Sequence, residues 1–464
     1  MFNRELQQRF DENVKVHRTF LDVQNILNSL LHEGILAQYG NIPKIADMPE
    51  AEASTGLSKI HPQRKVVWNE KQIFEMTAGK MSNILGSRYS GIDTYPIRAR
   101  LPLPPFMFVS RVTDIQGEFG QLKPSQMEME YDVPVDAWYL NEGRVPFPIM
   151  TESSHCGILL LSYIGVDEIF KGQLRFRALN STTKILSEKM LRAGETCRGI
   201  FRITSFATVK DITLAFYTYD LFDSEGVQFF TMKGVGGFFR EKDLQSAKGY
   251  PDTAVAKDIV AMKADFRPFL TCEKHVFTAA DIANLQQGRN DLCFGRGYVA
   301  HNEREQIYSD NFRILHRVSH VDAHGGPYGL GLIKGEADID PAHWIFGAHF
   351  KNDPVLPGIF TIEGGIQLLS FYIHYIGLKD IAGPGSYRNT LLGTESKALF
   401  RGEVRREATT LTYECVIKKI TSTPEITIAS DIKVFNGDRI IAVITDMGMK
   451  LIRKERCDEA SLVA

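Results

Sequence analysis

Two side chains in this sequence have the types and spacing for acid–base chemistry: His349 and Glu363, fourteen positions apart, with Gln367 four positions further on. Between them runs Phe350-Lys351-Asn352-Asp353-Pro354-Val355-Leu356-Pro357-Gly358, which sets the histidine on an extended segment before a Pro-Gly corner. Past the corner, residues 358–378 are almost wholly apolar, and the length of that run predicts a helix. Gly364 and Gly365 let a neighbouring wall approach it closely. A helix that starts at Gly358 offers free backbone N–H groups and a partial positive charge. A base, an acid and such a helix start are the parts needed to take a proton beside a thioester carbonyl and expel a β-hydroxyl. A histidine beside an aromatic is usually structural. A glutamate within an apolar helix, however, is costly unless it is paired, neutralised or used, which puts the catalytic reading ahead. The apolar run has membrane-spanning length, but Glu363, Gln367, His374 and its glycines favour a helix wrapped by a sheet.

Other constellations are weaker. His155 and Cys156 are adjacent, and neighbours on a helix point about 100° apart, which disfavours a Cys–His nucleophile pair. His316, His320 and His324 fall in an expected strand, where a spacing of four builds no shared metal site, so no metal is expected. Gly329-Leu330-Gly331 lacks the strand–turn–helix setting of a nucleotide loop.

The elements that must position these residues occur twice. Arg111-Val112-Thr113 precedes Trp138 as Arg317-Val318-Ser319 precedes Trp344; Gly120 and Asp132 match Gly326 and Asp338, all at an offset of 206. Upstream, Ile73, Gly79 and Gly86 match Ile282, Gly288 and Gly295 at 209, and downstream Asp220, Gly226 and Gly237 match Asp431, Gly437 and Gly448 at 211. Each unit opens with a capped helix, after Asn69 or Thr278. A strand through Arg111 or Arg317 follows, then an apolar helix, Ile149 to Tyr163 or Gly358 to Tyr375. Strands with hairpin turns at Asp223-Ser224-Glu225-Gly226 and Asn436-Gly437-Asp438 close each unit. One long helix against a curved antiparallel sheet is an α+β arrangement. The expected organisation is an amphipathic helix over residues 1–40, a linker at 41–65, a first unit at 66–247, a bridge at 248–272 and a second unit at 273–455.

The units are unequal. With Pro146 aligned to Pro357, the first unit carries Leu140-Asn141-Glu142-Gly143-Arg144 where a histidine would stand, so it lacks one. Its acid survives, since Glu152 follows Pro146 by six residues as Glu363 follows Pro357. Two pairings stay open: His349 with Glu152 across the units, or His349 with Glu363 within its own. The first is favoured because it gives Glu152 a use.

The bulk properties are ordinary. The chain has 464 residues, a net charge of −2, 44% apolar and 24% charged residues, enough for two or three domains and without the basic footprint of a nucleic-acid binder. Six scattered cysteines with no Cys-x-x-Cys read as reduced thiols, and the polar first thirty residues show no signal peptide, so a cytoplasmic location is expected.

The segment His349-Phe350-x-x-Asp353-Pro354-Val355-x-Pro357-Gly358 resembles the active-site segment of bacterial β-hydroxyacyl-ACP dehydratases of the hot-dog fold. Relatives with isomerase activity usually carry Asp where this chain has Glu363, as plain dehydratases do. Roughly residues 65–455 resemble the double hot-dog dehydratase region of polyunsaturated fatty acid synthases and related iterative polyketide synthases. The motifs that carry this are Val67-Trp68-Asn69-Glu70, Arg98 to Pro105, Tyr131-Asp132-Val133-Pro134, Glu152-Ser153-Ser154-His155-Cys156 and Gly325 to Gly331. The resemblance implies a tandem hot-dog fold and dehydration of a 3-hydroxyacyl chain on an acyl carrier protein to an enoyl thioester. It names His349 as base, Glu152 or Glu363 as acid, and Gly358, Pro357, Gln367 and Phe350 as oxyanion and substrate contacts, with Gln367 either hydrogen-bonding the acid or helping to place the substrate hydroxyl. It implies no cofactor beyond the carrier's phosphopantetheine. The partners it implies are the carrier and other synthase domains or subunits, with no nucleic acid or membrane. A monomeric pseudo-dimer or a homodimer is expected, either as a discrete subunit or as an excised region. Hot-dog acyl thioesterases and a non-catalytic acyl-binding scaffold are the competing expectations.

Overall fold

Both expected helix caps form, and each closes a reciprocal capping box: Asn69 with Gln72 and Thr278 with Asp281. The structure is a computed structural model, and it describes residues 65–209, 212–250, 266–300, 307–309, 311–383 and 386–452. The helix expected over 1–40, nearly all of the linker after it and most of the bridge lie outside the described residues. The chain divides into two compact units, residues 1–65 with 207–213 and residues 66–206 with 214–464. In the described part of the first, the Thr208 and Thr213 hydroxyls bond each other at 3.1 Å. Everything below concerns the second.

Its strands are β1 (Trp68–Asn69), β2 (Arg111–Gln116), β3 (Ser125–Asp132), β4 (Arg175–Ile185), β5 (Thr196–Val209), β6 (Ile212–Phe222) and β7 (Gln228–Phe239), then β8 (Arg317–Asp322), β9 (Leu332–Asp338), β10 (Tyr387–Thr390), β11 (Glu395–Phe400), β12 (Thr410–Thr421), β13 (Ile426–Asn436) and β14 (Arg439–Ile452). They form one sheet in the order β1-β2-β3-β5-β6-β7-β4-β11-β14-β13-β12-β9-β8, with β10 pairing β14. The order within the first seven is mirrored in the rest, and the halves join where β4 pairs antiparallel with β11, Ser181 opposite Ala398. Each half wraps one apolar helix, which makes this a tandem hot-dog fold.

The duplication is visible atom by atom. Arg111 pairs with Glu130 and Asp132, both at 2.6 Å, and Arg317 pairs with Glu336 at 2.6 Å and Asp338 at 2.7 Å. A bulge between Val112 and Asp114 recurs between Val318 and His320. Gly120 and Gly326 both turn at positive φ, 78° and 75°, where a side chain would be strained. The upstream glycines are only partly alike. Gly86 and Gly295 share φ 89°, but Gly288 is left-handed while Gly79 is not.

The second central helix runs Gly358–Tyr375, as the uniform apolar pattern predicts, and nearly every residue in it is buried. Its glycines set how near the sheet comes: a Cβ on Gly364 would lie 2.4 Å from the Tyr413 ring, and one on Gly365 2.8 Å from Ile432. The first central helix departs from expectation. It begins at Phe147 rather than Ile149, because Pro148 is tolerated in a first turn where its missing N–H costs nothing. It is also interrupted: Phe147–Glu152 gives way to a 3₁₀ turn, Ser153–Cys156, before Gly157–Tyr163 resumes. Ser153 Oγ, bonded to the Met150 carbonyl at 2.7 Å and to Tyr219 Oη at 2.9 Å, competes with the helical ladder there.

Candidate active site

His349 sits just after a short helix, Ile345–Ala348, rather than on the extended segment expected. The loop that follows holds it from both sides. Val355 N–H donates to the His349 carbonyl at 2.9 Å, and the Val355 carbonyl lies 3.0 Å from Nδ1. With the Nδ1 proton on that carbonyl, Nε2 is left as the bare nitrogen, and it has no hydrogen-bond partner although the residue is buried. Asn352 adopts φ 68° at the loop tip, a conformation asparagine tolerates. Asp353 anchors the loop to β4: Arg177 holds it at 2.7 and 3.0 Å, and Arg175 at 2.6 Å. Arg177 also binds Glu403.

The nearest carboxylate comes from the other half. Glu152 Oε1 lies 3.9 Å from His349 Nε2, and both side chains are buried. Burial raises the Glu152 pKa above its ordinary value and drives that of His349 well below its own. The pair therefore favours a neutral base beside a protonated acid. Both residues line a cleft of about 920 Å³ with Phe350, Leu356, Gly358 and Phe400. Pro357 is the buried N-cap of the second central helix, and Gly358 is its first residue, so the Gly358 amide has no partner within the helix. A Cβ on Gly358 would approach Phe400 to 3.0 Å, narrowing the cleft there.

Glu363 faces elsewhere. It lines a second cleft, of about 870 Å³, with Asn141, Glu142 and Arg144, the segment that stands in the histidine's place. Its Oε2 has no partner, and burial lifts its pKa to about 7. Gln367 Nε2 donates to Glu363 Oε1 at 2.7 Å and to the Phe312 carbonyl at 2.8 Å, while its Oε1 accepts from Ile314 and Leu315, both at 2.9 Å. The amide is thereby fully used in holding Glu363 and the strand approach. Of the two roles expected for Gln367, hydrogen-bonding the acid or placing the substrate hydroxyl, the structure shows the first.

Sequence reasoning misses His155 as part of the site. It hydrogen-bonds Glu152 Oε1 through Nδ1, and its ring lies 5.7 Å from that of His349. Residues three apart share a face of a helical turn, and the tighter 3₁₀ turn that follows Glu152 brings them closer to eclipse. The signal available in the sequence is the Glu-x-x-His spacing. Cys156, by contrast, is buried and its thiol is pushed up by burial, so it is no nucleophile. Five cysteines are free, and Cys457 lies outside the described residues.

Among the described residues, Glu152, His155 and His349 each bring a side-chain nitrogen or oxygen within 4.8 Å of the others. His316 precedes β8 and His320 lies within it, with His316 Nδ1 accepting the Asp338 amide at 3.2 Å. No described helix is long and apolar enough to cross a membrane.

Residues 307–445 match the FabA-like domain. Over 362 residues the chain is 29% identical to a polyunsaturated fatty acid synthase subunit from a Thraustochytrium species, a match covering 76% of this chain and 24% of that relative. The chain therefore spans about a quarter of the synthase polypeptide it matches. Among solved structures, the dehydratase domain of RzxB from Pseudomonas fluorescens aligns with TM-score 0.36 and 8% identity, covering 74% of this chain and 98% of that one. The 12:0-ACP thioesterase of Umbellularia californica aligns with TM-score 0.36 and 9% identity, covering 71% of this chain and 94% of that one. Such scores do not separate dehydratase from thioesterase, and the fold rests on the strand order. The resemblance read from the His349–Gly358 segment stands on the FabA-like match and the synthase relative.

Proposed function

We propose that the chain dehydrates 3-hydroxyacyl chains borne on the phosphopantetheine of an acyl carrier protein, as part of a fatty acid or polyketide synthase. The observation that carries this reading is the buried His349 Nε2, unpartnered and 3.9 Å from a carboxyl contributed by the other half. Nε2 takes the C2 proton, and the Gly358 amide donates to the thioester oxygen as negative charge gathers there. The C2–H electron pair becomes the C2=C3 bond. The C3–O bond breaks as protonated Glu152 delivers its proton, and water leaves. A raised carboxyl pKa and a lowered imidazole pKa are the two shifts this division of labour needs.

The FabA-like match and the synthase relative support the substrate class. Mass spectrometry of a carrier-bound 3-hydroxyacyl chain incubated with the protein tests it. Loss of one water is expected; release of a free acid would mark a thioesterase, and an unchanged thioester a binding subunit.

A further inference from the structure

We infer that His155 is the proton relay of this site, orienting the Glu152 carboxyl and returning to it, from solvent, the proton that each turnover spends. The inference rests on the dehydratase reading above. Three facts of geometry carry it. His155 Nδ1 is hydrogen-bonded to the same carboxyl oxygen, Oε1, that faces His349. The 3₁₀ turn that Glu152 caps sets His155 on the same face as Glu152, three residues on. Of the three side chains, His155 alone reaches the surface, 20% exposed against 2% for Glu152 and 6% for His349.

The site needs such a group. After water departs, His349 carries the C2 proton and Glu152 is an anion on a cleft that the enoyl chain still fills. An imidazole with one nitrogen on the carboxylate can pass a proton to Oε1 from Nδ1 and take another at Nε2. His349 releases its proton to water that enters the cleft once the product has left, so each turnover leaves the proton count of the enzyme unchanged. The groups facing Glu152 are His155 from its own turn, His349 from the loop and Tyr217 from β6, with Arg177 on the cleft wall tied to Asp353 and Glu403. None of the others combines a bond to the carboxyl with an exposed edge.

Full-length His155→Asn and His155→Phe chains separate relay from scaffold. Asn keeps a donor for Glu152 but cannot titrate; Phe keeps a ring against Phe350 but offers no donor. If His155 relays, both lose about tenfold or more in kcat, with KM held within about twofold. In the Phe chain the basic limb of the pH profile moves upward, because the partner that lowers the Glu152 pKa is gone. Added imidazole should restore turnover in His155→Ala, where the ring's space is open. An Asn chain as fast as the parent, or a His155→Ala chain deaf to imidazole, would overturn the relay. A parent chain that leaves the 3-hydroxyacyl thioester intact would instead overturn the reading beneath it.

Discussion

Glu152 and Glu363 occupy equivalent places on equivalent helices, yet only Glu152 has a histidine opposite it. Glu152→Gln keeps the shape and removes the proton, so dehydration should fall by on the order of 10²–10⁴. Glu363→Gln should change the rate little, and His349→Ala should abolish it. A dead Glu363→Gln chain beside an active Glu152→Gln one would place the working acid in the second half. The opposed pKa shifts also fix the pH profile. Turnover needs His349 neutral and Glu152 protonated, so kcat/KM should be bell-shaped, with its acid limb below the ordinary imidazole value of 6.5 and its basic limb above the ordinary carboxyl value of 4.5. Glu363 makes a separate claim about stability. Its folded pKa of about 7 lies above its ordinary 4.5, so its contribution is fully present below 4.5 and is lost as pH rises through 7. Glu363→Gln keeps the Gln367 contact and should stabilise the fold at pH 8, by at most about 3 kcal/mol, while changing little near pH 4. Urea unfolding at the two pH values checks this, and equal gains at both would sink it.

At the scale of elements, the close approach of the second central helix to its sheet can be measured directly. Gly364→Ala places a methyl 2.4 Å from the Tyr413 ring, and overpacking of this kind costs about 1–3 kcal/mol. Chemical denaturation should show that loss; an unchanged midpoint would mean the ring moves freely. The same helix is legible in the sequence, because an apolar run of that length is too long for a strand and its few polar residues set it against a sheet. The first central helix is misread at its start and at its break. Both errors arise where local chemistry overrides periodicity, at Pro148 and at Ser153. His155 is missed because the sequence reading sets it against adjacent Cys156, while its partner Glu152 stands three residues back on the same face. Caps at Asn69 and Thr278 and the turns at Gly226 and Gly437 are readable because each has a short-range cause. The Gln367 bond to Glu363 is readable from a spacing of four, whereas its other partners, Phe312 to Leu315, lie more than fifty residues away and leave no mark in the sequence.

For the molecule as a whole, the binding of one half to the other's chemistry runs through Arg177. It belongs to β4 in the first half but holds Asp353 in the loop that carries His349, a contact across 176 residues of sequence. Arg177→Gln leaves Asp353 to Arg175 alone and Glu403 to Arg405, and should loosen that loop. A misplacement of about 1 Å can cost on the order of 10² in rate, so kcat should fall although Arg177 touches no reacting atom. A chain with unchanged kcat would show that the Val355 contacts hold His349 unaided. No sequence pattern announces such a partner, and the pairing of Glu152 with His349 is open in the sequence for the same reason.

The β4–β11 join has a consequence for how such a molecule can change. Two identical subunits share one gene, and every substitution appears on both faces at once, so neither cleft can be altered alone. Fusing the copies into one chain removes that constraint: a histidine lost beside Asn141 costs nothing beside Glu152. The clefts at Glu152 and Glu363 can then be inherited separately, one kept under the demands of turnover and the other released from them.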